Sequence, residues 1–159
     1  MKIGDIIFVK NKGWIFDRVR SVIDSDFDHI AVCVSGTHLV EATPTRGVAK
    51  EKISKYDSVT HSVCRLKHGY KGHIKSLVSY CESKVGKRYD VLQLISLYIL
   101  ILLGIKRTIA PIDIREAFVC SELIGQGAYS AGIELIEGVE VDRLTPGDIY
   151  ESDKLEKVI

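Results

Sequence analysis

The stretch that most restricts how this chain can fold is residues 29–42. His29-Ile30-Ala31-Val32-Cys33-Val34 is β-branched at alternate positions, the pattern of a strand set against a core. Ser35-Gly36-Thr37 then supplies a three-residue loop with glycine inside it, and His38-Leu39-Val40-Glu41-Ala42 returns until Thr43-Pro44 ends the run. A loop of that length dictates the pairing. Val34 opposes His38, Ala31 opposes Glu41, and His29 opposes Thr43. A slip of one residue would turn every apolar side chain to the wrong face, so the register is strongly specified. It also puts His29 and Glu41 on one face as diagonal neighbours, within reach of long side chains.

Other segments add elements around this hairpin. Ile6–Val9 is a short apolar run read as a buried strand, and Asn11-Lys12-Gly13 is a turn. Trp14–Asp24 carries apolar residues at 15, 19, 22 and 23, the spacing of an amphipathic helix. Gly47-Val48 and Val59–Leu66 are expected strands. Lys67–Lys75 reads as a basic loop, and Ile74, Leu77, Val78, Cys81 and Val85 fall at helical spacing. Gly86–Asp90 and Leu144–Asp148 read as turns, Thr108–Asp113 as a loop, and the last residues as a charged tail. No repeat or linker interrupts the chain. The expectation is one α+β domain over residues 1–159, with helices packed on an antiparallel sheet.

The balance of charge narrows the partners. A formal net charge of +1 gives no reason to expect nucleic acid. Four cysteines, at 33, 64, 81 and 120, lie at wide and irregular spacings without a CxxC pair, so they read as reduced thiols rather than bridges or zinc ligands. Gly4 and Asp5 stand where a signal peptide would need its apolar stretch, which makes the cytoplasm the expected compartment. Val91–Gly104 is the most apolar segment. It is too short for a bilayer-spanning helix of about 20 residues, so it reads as a buried helix first and as a membrane-surface or lipid-contacting element second.

Chemistry concentrates at Phe118-Val119-Cys120-Ser121-Glu122-Leu123. From Cys120 onward, Leu123, Ile124, Gly127 and Ala131 form a helical stripe that Gly132 is expected to terminate. Cys120 would lie in the first turn, near unpaired N–H groups and the positive end of the helix dipole, a setting that favours thiolate. The competing reading is an inert core thiol, because the residue also belongs to the apolar stripe. A nucleophilic cysteine needs a base and a group that orients the base. His29 is the best base by register and by elimination, since His61, His68 and His73 lack an acid in a recognisable register. Glu41, isolated among Leu39, Val40 and Ala42, needs a partner or a cleft if it is buried.

These pieces resemble papain-like hydrolases of the NlpC/P60 superfamily. The residues that carry the resemblance are Cys120-Ser121-Glu122-Leu123, Gly4-Asp5-Ile6-Ile7-Phe8, His29-Ile30-Ala31-Val32 and Val40-Glu41-Ala42. Histidine and acid come before the cysteine, as in the circularly permuted, YiiX/YebB-like branch (the permuted papain-like amidases). Glu41–Val48 (Glu-Ala-x-Pro-x-x-Gly-Val) and Gly86–Asp90 (Gly-x-x-Tyr-Asp) are similar to that branch too. The resemblance implies Cys120 as nucleophile, His29 as general base and Glu41 as orienting acid. Tyr89, Ser121 and Glu122 are the expected substrate-side residues.

The implied enzyme is a thiol hydrolase of amidase or peptidase type. It would act on an amide or ester of a peptide-like or acylated small substrate through a thioester, with no metal or organic cofactor. Two other readings stay open. One is acyl transfer or thioester cleavage on lipids, as in the related lecithin:retinol acyltransferase-like proteins, with Val91–Gly104 as the lipid contact. The other is a lipid- or peptide-binding module that keeps the fold without turnover.

Overall fold

The computed structural model describes residues 1–89, 117–118 and 120–158. Its centre is a six-stranded antiparallel sheet in the order β4-β3-β2-β1-β5-β8. The strands are β1 (Ile6–Lys10), β2 (His29–Cys33), β3 (His38–Thr43), β4 (Gly47–Lys52), β5 (Thr60–Leu66) and β8 (Leu155–Lys157). The β2–β3 register pairs Ala31 with Glu41 and Val32 with Val40, as the loop length requires.

Alternation along the strands builds two cores. Ile6, Phe8, Ile30, Val32, Val40 and Ala42 face the helices α2 (Ile74–Ser83) and α3 (Cys120–Ser130). Ile7, Val9, Ala31, Cys33 and Leu39 face the other way and are covered by Tyr56. Fully burying a side chain of that size stabilises by about 1.5–3 kcal/mol, so both faces of the central strands contribute. α3 lies against α2 and across β2 and β3. The helices can approach closely because Gly127 faces α2: a Cβ there would stand 2.8 Å from Leu77 Cδ1 and 3.0 Å from Cys81 Sγ. At the far end of α3, Gly132 takes a φ of 78°. Its N–H bonds the Tyr129 carbonyl at 2.9 Å, and the Ile133 N–H bonds that of Ala128 at 2.9 Å. This pair of bonds closes the helix on a left-handed glycine.

Four sequence expectations change. The C-terminal residues are not a free charged tail: β8 pairs with β5, setting Leu155 opposite Leu66 while Glu156 and Lys157 stay exposed. Three residues carry too little pattern to signal a strand without the edge that receives them. Within Lys67–Lys75, His68–His73 forms a 3-10 helix rather than an irregular loop. α2 stops at Ser83, leaving Val85 exposed rather than on its apolar stripe. Leu144–Asp148 is the entry to a helix, α4 (Pro146–Tyr150), in which Thr145 and Asp148 cap each other reciprocally behind a proline in the first turn. A small parallel pairing of β6 (Arg88–Tyr89) with β7 (Ala117–Phe118), which the sequence did not suggest, lies against β4. Val91–Gly104 and Thr108–Asp113 lie outside the described residues. Among the described residues, no helix is long and apolar enough to cross a membrane.

Candidate active site

His29 is the first residue of β2, and the segment before it is tightly held. Asp28 accepts from the Asn11 backbone N–H at 2.9 Å and from Asn11 Nδ2 at 2.6 Å. The Arg20 guanidinium also pairs with the Asp28 carboxylate, whose side chain is 1% exposed. A buried carboxylate needs such partners, and here they anchor the start of the strand that carries His29.

Glu41, on β3, is the most unusual side chain of the sheet. It is 1% exposed and takes three donors. His29 Nε2 lies 2.9 Å from Oε2. Tyr56 Oη donates to the same oxygen, and Lys55 Nζ pairs with Oε1. Burial alone would raise the Glu41 carboxyl, but the bonds from His29, Lys55 and Tyr56 outweigh it and hold the group at about 2. Glu41 is therefore an anion at any working pH.

The third component comes from the helix side of the sheet. Cys120 opens α3 and is buried. Because His29 sits at the end of its strand, its ring can meet both Glu41 and the residue that opens α3. Burial would lower the His29 pKa, yet charge and hydrogen-bond interactions with Cys120, and then with Glu41, push it up to about 10. The imidazole is accordingly favoured as imidazolium between a carboxylate and a sulfur. Burial pushes Cys33 up to about 12, Cys64 to about 11 and Cys81 to about 12, so these three stay protonated thiols. All four are free.

The structure thus brings His29, Glu41 and Cys120 into one constellation. Ser121 follows Cys120 and is buried, and Glu122 is half-buried on the first turn of α3. Tyr89 lies on β6, paired with Phe118 of β7, and its side chain is outside the described set. Sequence reasoning missed Lys55 and Tyr56. Both come from the 3-10 helix Ile53–Tyr56 after β4. The need of a buried Glu41 for donors was legible, but nothing in the Ile-Ser-Lys-Tyr run announced that it folds back over β3.

A cavity of about 550 Å³ lies elsewhere, against the C-terminal half of α3, lined by Gln126, Tyr129 and Leu144 among others. It contains none of His29, Glu41 or Cys120, so the chemistry and the open space do not coincide there.

No protein-family model matches the chain, and neither does any curated protein. Solved structures do. The fold is similar to that of YiiX from Escherichia coli O157:H7, described as a metalloprotein. That likeness covers 99% of this chain and 96% of the other, with a TM-score of 0.72 and 16% sequence identity, a level that speaks for the fold alone. Among the described residues of the present chain, no group of three or more His, Cys, Asp and Glu side chains is arranged to hold a metal ion. Both Glu41 oxygens accept hydrogen bonds, Oε1 from Lys55 and Oε2 from His29 and Tyr56.

Proposed function

We propose that this protein is a cysteine hydrolase of the amidase or peptidase type, with Cys120 as nucleophile, His29 as general acid and base, and Glu41 as the residue that orients His29. The observation that carries the reading is a half-buried imidazole bonded to a carboxylate on one side and interacting with a cysteine at a helix start on the other. Structural cores rarely assemble that triplet, because each polar member costs free energy to bury. The similarity in fold to YiiX, and the order His29, Glu41, Cys120 along the chain, support a circularly permuted papain-like arrangement.

In this reading the thiolate attacks the carbonyl carbon of an amide or ester, forming a C–S bond as the carbonyl π pair moves to oxygen. The backbone N–H groups left unpaired at the start of α3 are the donors this reading assigns to that oxyanion. The tetrahedral intermediate collapses, the C–N or C–O bond breaks, and the imidazolium gives its proton to the departing amine or alkoxide. Water then attacks the thioester while neutral His29 takes its proton, and the acid leaves with the thiolate restored. Glu41 stays ionised and compensates the imidazolium at each stage, as the acid of a triad does. With Nε2 engaged by Glu41, Nδ1 is the ring atom available to the sulfur and the substrate.

A limiting amount of iodoacetamide near pH 7, followed by peptide mass spectrometry, tests the reading. Cys120 is expected to be alkylated well ahead of Cys33, Cys64 and Cys81, and Cys120→Ser is expected to abolish that labelling while leaving the thermal unfolding transition in place. Equal labelling of all four thiols, or labelling that survives in Cys120→Ser, would overturn the assignment.

A further inference from the structure

α1 (Trp14–Ile23) exposes large apolar side chains in its first turn, while Val19 and Ile23 further along are half-buried. None of its described side chains belongs to either core, and Arg20 is its one buried residue among them. Arg20 is clamped by Asp28, by Asp17 and, at 2.9 Å, by the carbonyl of Asn11. That clamp sets the rotation of the helix. At about 100° per residue, Trp14, Ile15 and Arg18 lie roughly 120–160° round the helix from Arg20, on the side turned to solvent. Trp14 is 67% exposed, Ile15 45% and Phe16 40%. Trp14 and Ile15 share that side, whereas Phe16 lies about 40° from Arg20 and is exposed at the flank. Large apolar side chains thus surround the first turn of a surface helix, a patch that water does not favour.

The charge around this patch is one-sided. Lys10, Lys12 and Arg18 are exposed beside it, and the acid within it, Asp17, is paired with Arg20. The exposed Asp24 and Asp26 lie beyond the opposite end of the helix. A tryptophan flanked by aliphatic and aromatic side chains and ringed by lysine and arginine matches the boundary between acyl chains and anionic headgroups.

We propose that the first turn of α1 is a docking surface for an anionic lipid bilayer. Trp14 and Ile15 enter the headgroup–acyl boundary with Phe16 at its edge, and Lys10, Lys12 and Arg18 meet lipid phosphates. The Arg20–Asp28 contact then ties the docked helix to the residue preceding His29, so the membrane plane is fixed relative to the candidate site. Docking does not depend on the hydrolase reading, and Cys120→Ser is expected to bind as the unaltered protein does.

Trp14 is the chain's single tryptophan, so its fluorescence reports on the patch directly. The full chain is titrated with vesicles of phosphatidylglycerol and phosphatidylcholine in equal parts, and with phosphatidylcholine alone. The expected result is a blue shift of Trp14 emission and co-sedimentation with the anionic vesicles, weakened by 0.5 M salt and by omission of the anionic lipid. Lys12→Gln is expected to lower the partition coefficient about fivefold, the weight of one basic residue near such a surface. Ile15→Ser with Phe16→Ser, both at exposed positions, is expected to lower it at least tenfold. An emission unmoved by anionic vesicles, or sedimentation unaffected by these variants, would overturn the proposal. So would a blue shift that grows with protein concentration in the absence of lipid, because the patch would then be covered by a second copy.

Discussion

Replacing Glu41 by glutamine keeps the shape of the side chain and removes its charge, which isolates what that charge contributes. In the folded protein the carboxyl is held at about 2, against an ordinary value of 4.5. At about 1.4 kcal/mol per pH unit of displacement, this corresponds to roughly 3 kcal/mol of stability. The sign follows from the direction. A depressed carboxyl contributes fully above pH 4.5 and loses its contribution as pH falls through about 2. His29, raised from 6.5 to about 10, contributes fully below pH 6.5 and loses its contribution as pH rises through about 10. The His29–Glu41 contact underlies part of both displacements and is counted once, so about 3 kcal/mol is the expected loss for Glu41→Gln rather than the sum of the two. Between pH 4.5 and 6.5, where both groups are fully in their favoured forms, urea unfolding is expected to place Glu41→Gln about 3 kcal/mol below the unaltered protein. The gap is expected to narrow as pH falls toward 2. Without Glu41, burial acts on the His29 ring with less opposition, so its titration, followed by NMR of the imidazole carbons, is expected to move well below 10. Equal stability of the two proteins at pH 6, or a His29 titration that stays in place, would refute the reasoning.

Two further perturbations probe the supports of the site. Tyr56→Phe removes one donor from a carboxylate that water cannot reach, and is expected to cost about 1–3 kcal/mol by urea unfolding and to shift acid unfolding to higher pH; an unchanged acid transition would show that Tyr56 does not hold Glu41. Gly127→Ala drives a methyl into Leu77 and Cys81 where α3 crosses α2, and is expected to cost about 1–3 kcal/mol in thermal unfolding, with no loss if the helices can part freely.

Much of the local architecture was determined by the sequence itself. The three-residue loop and the alternation on either side of it dictated the β2–β3 register, and that register put His29 and Glu41 on one face. The stripe beginning at Cys120 and the glycine at 132 delimited α3, because helix periodicity and a left-handed stop are local properties. What tertiary structure decided is what lies far apart in the chain. Lys55 and Tyr56 reach Glu41 only because the 3-10 helix after β4 folds back over the sheet, and Leu155–Lys157 is a strand only because β5 offers an open edge. The meeting of Cys120 with His29 is of the same kind. A sulfur at a helix start and an imidazole at a strand end carry no local signal of each other, and packing of α3 across β2 and β3 is what brings them into reach. Sequence determines periodicity and turn chemistry, whereas contacts between distant residues depend on how the buried faces fit together.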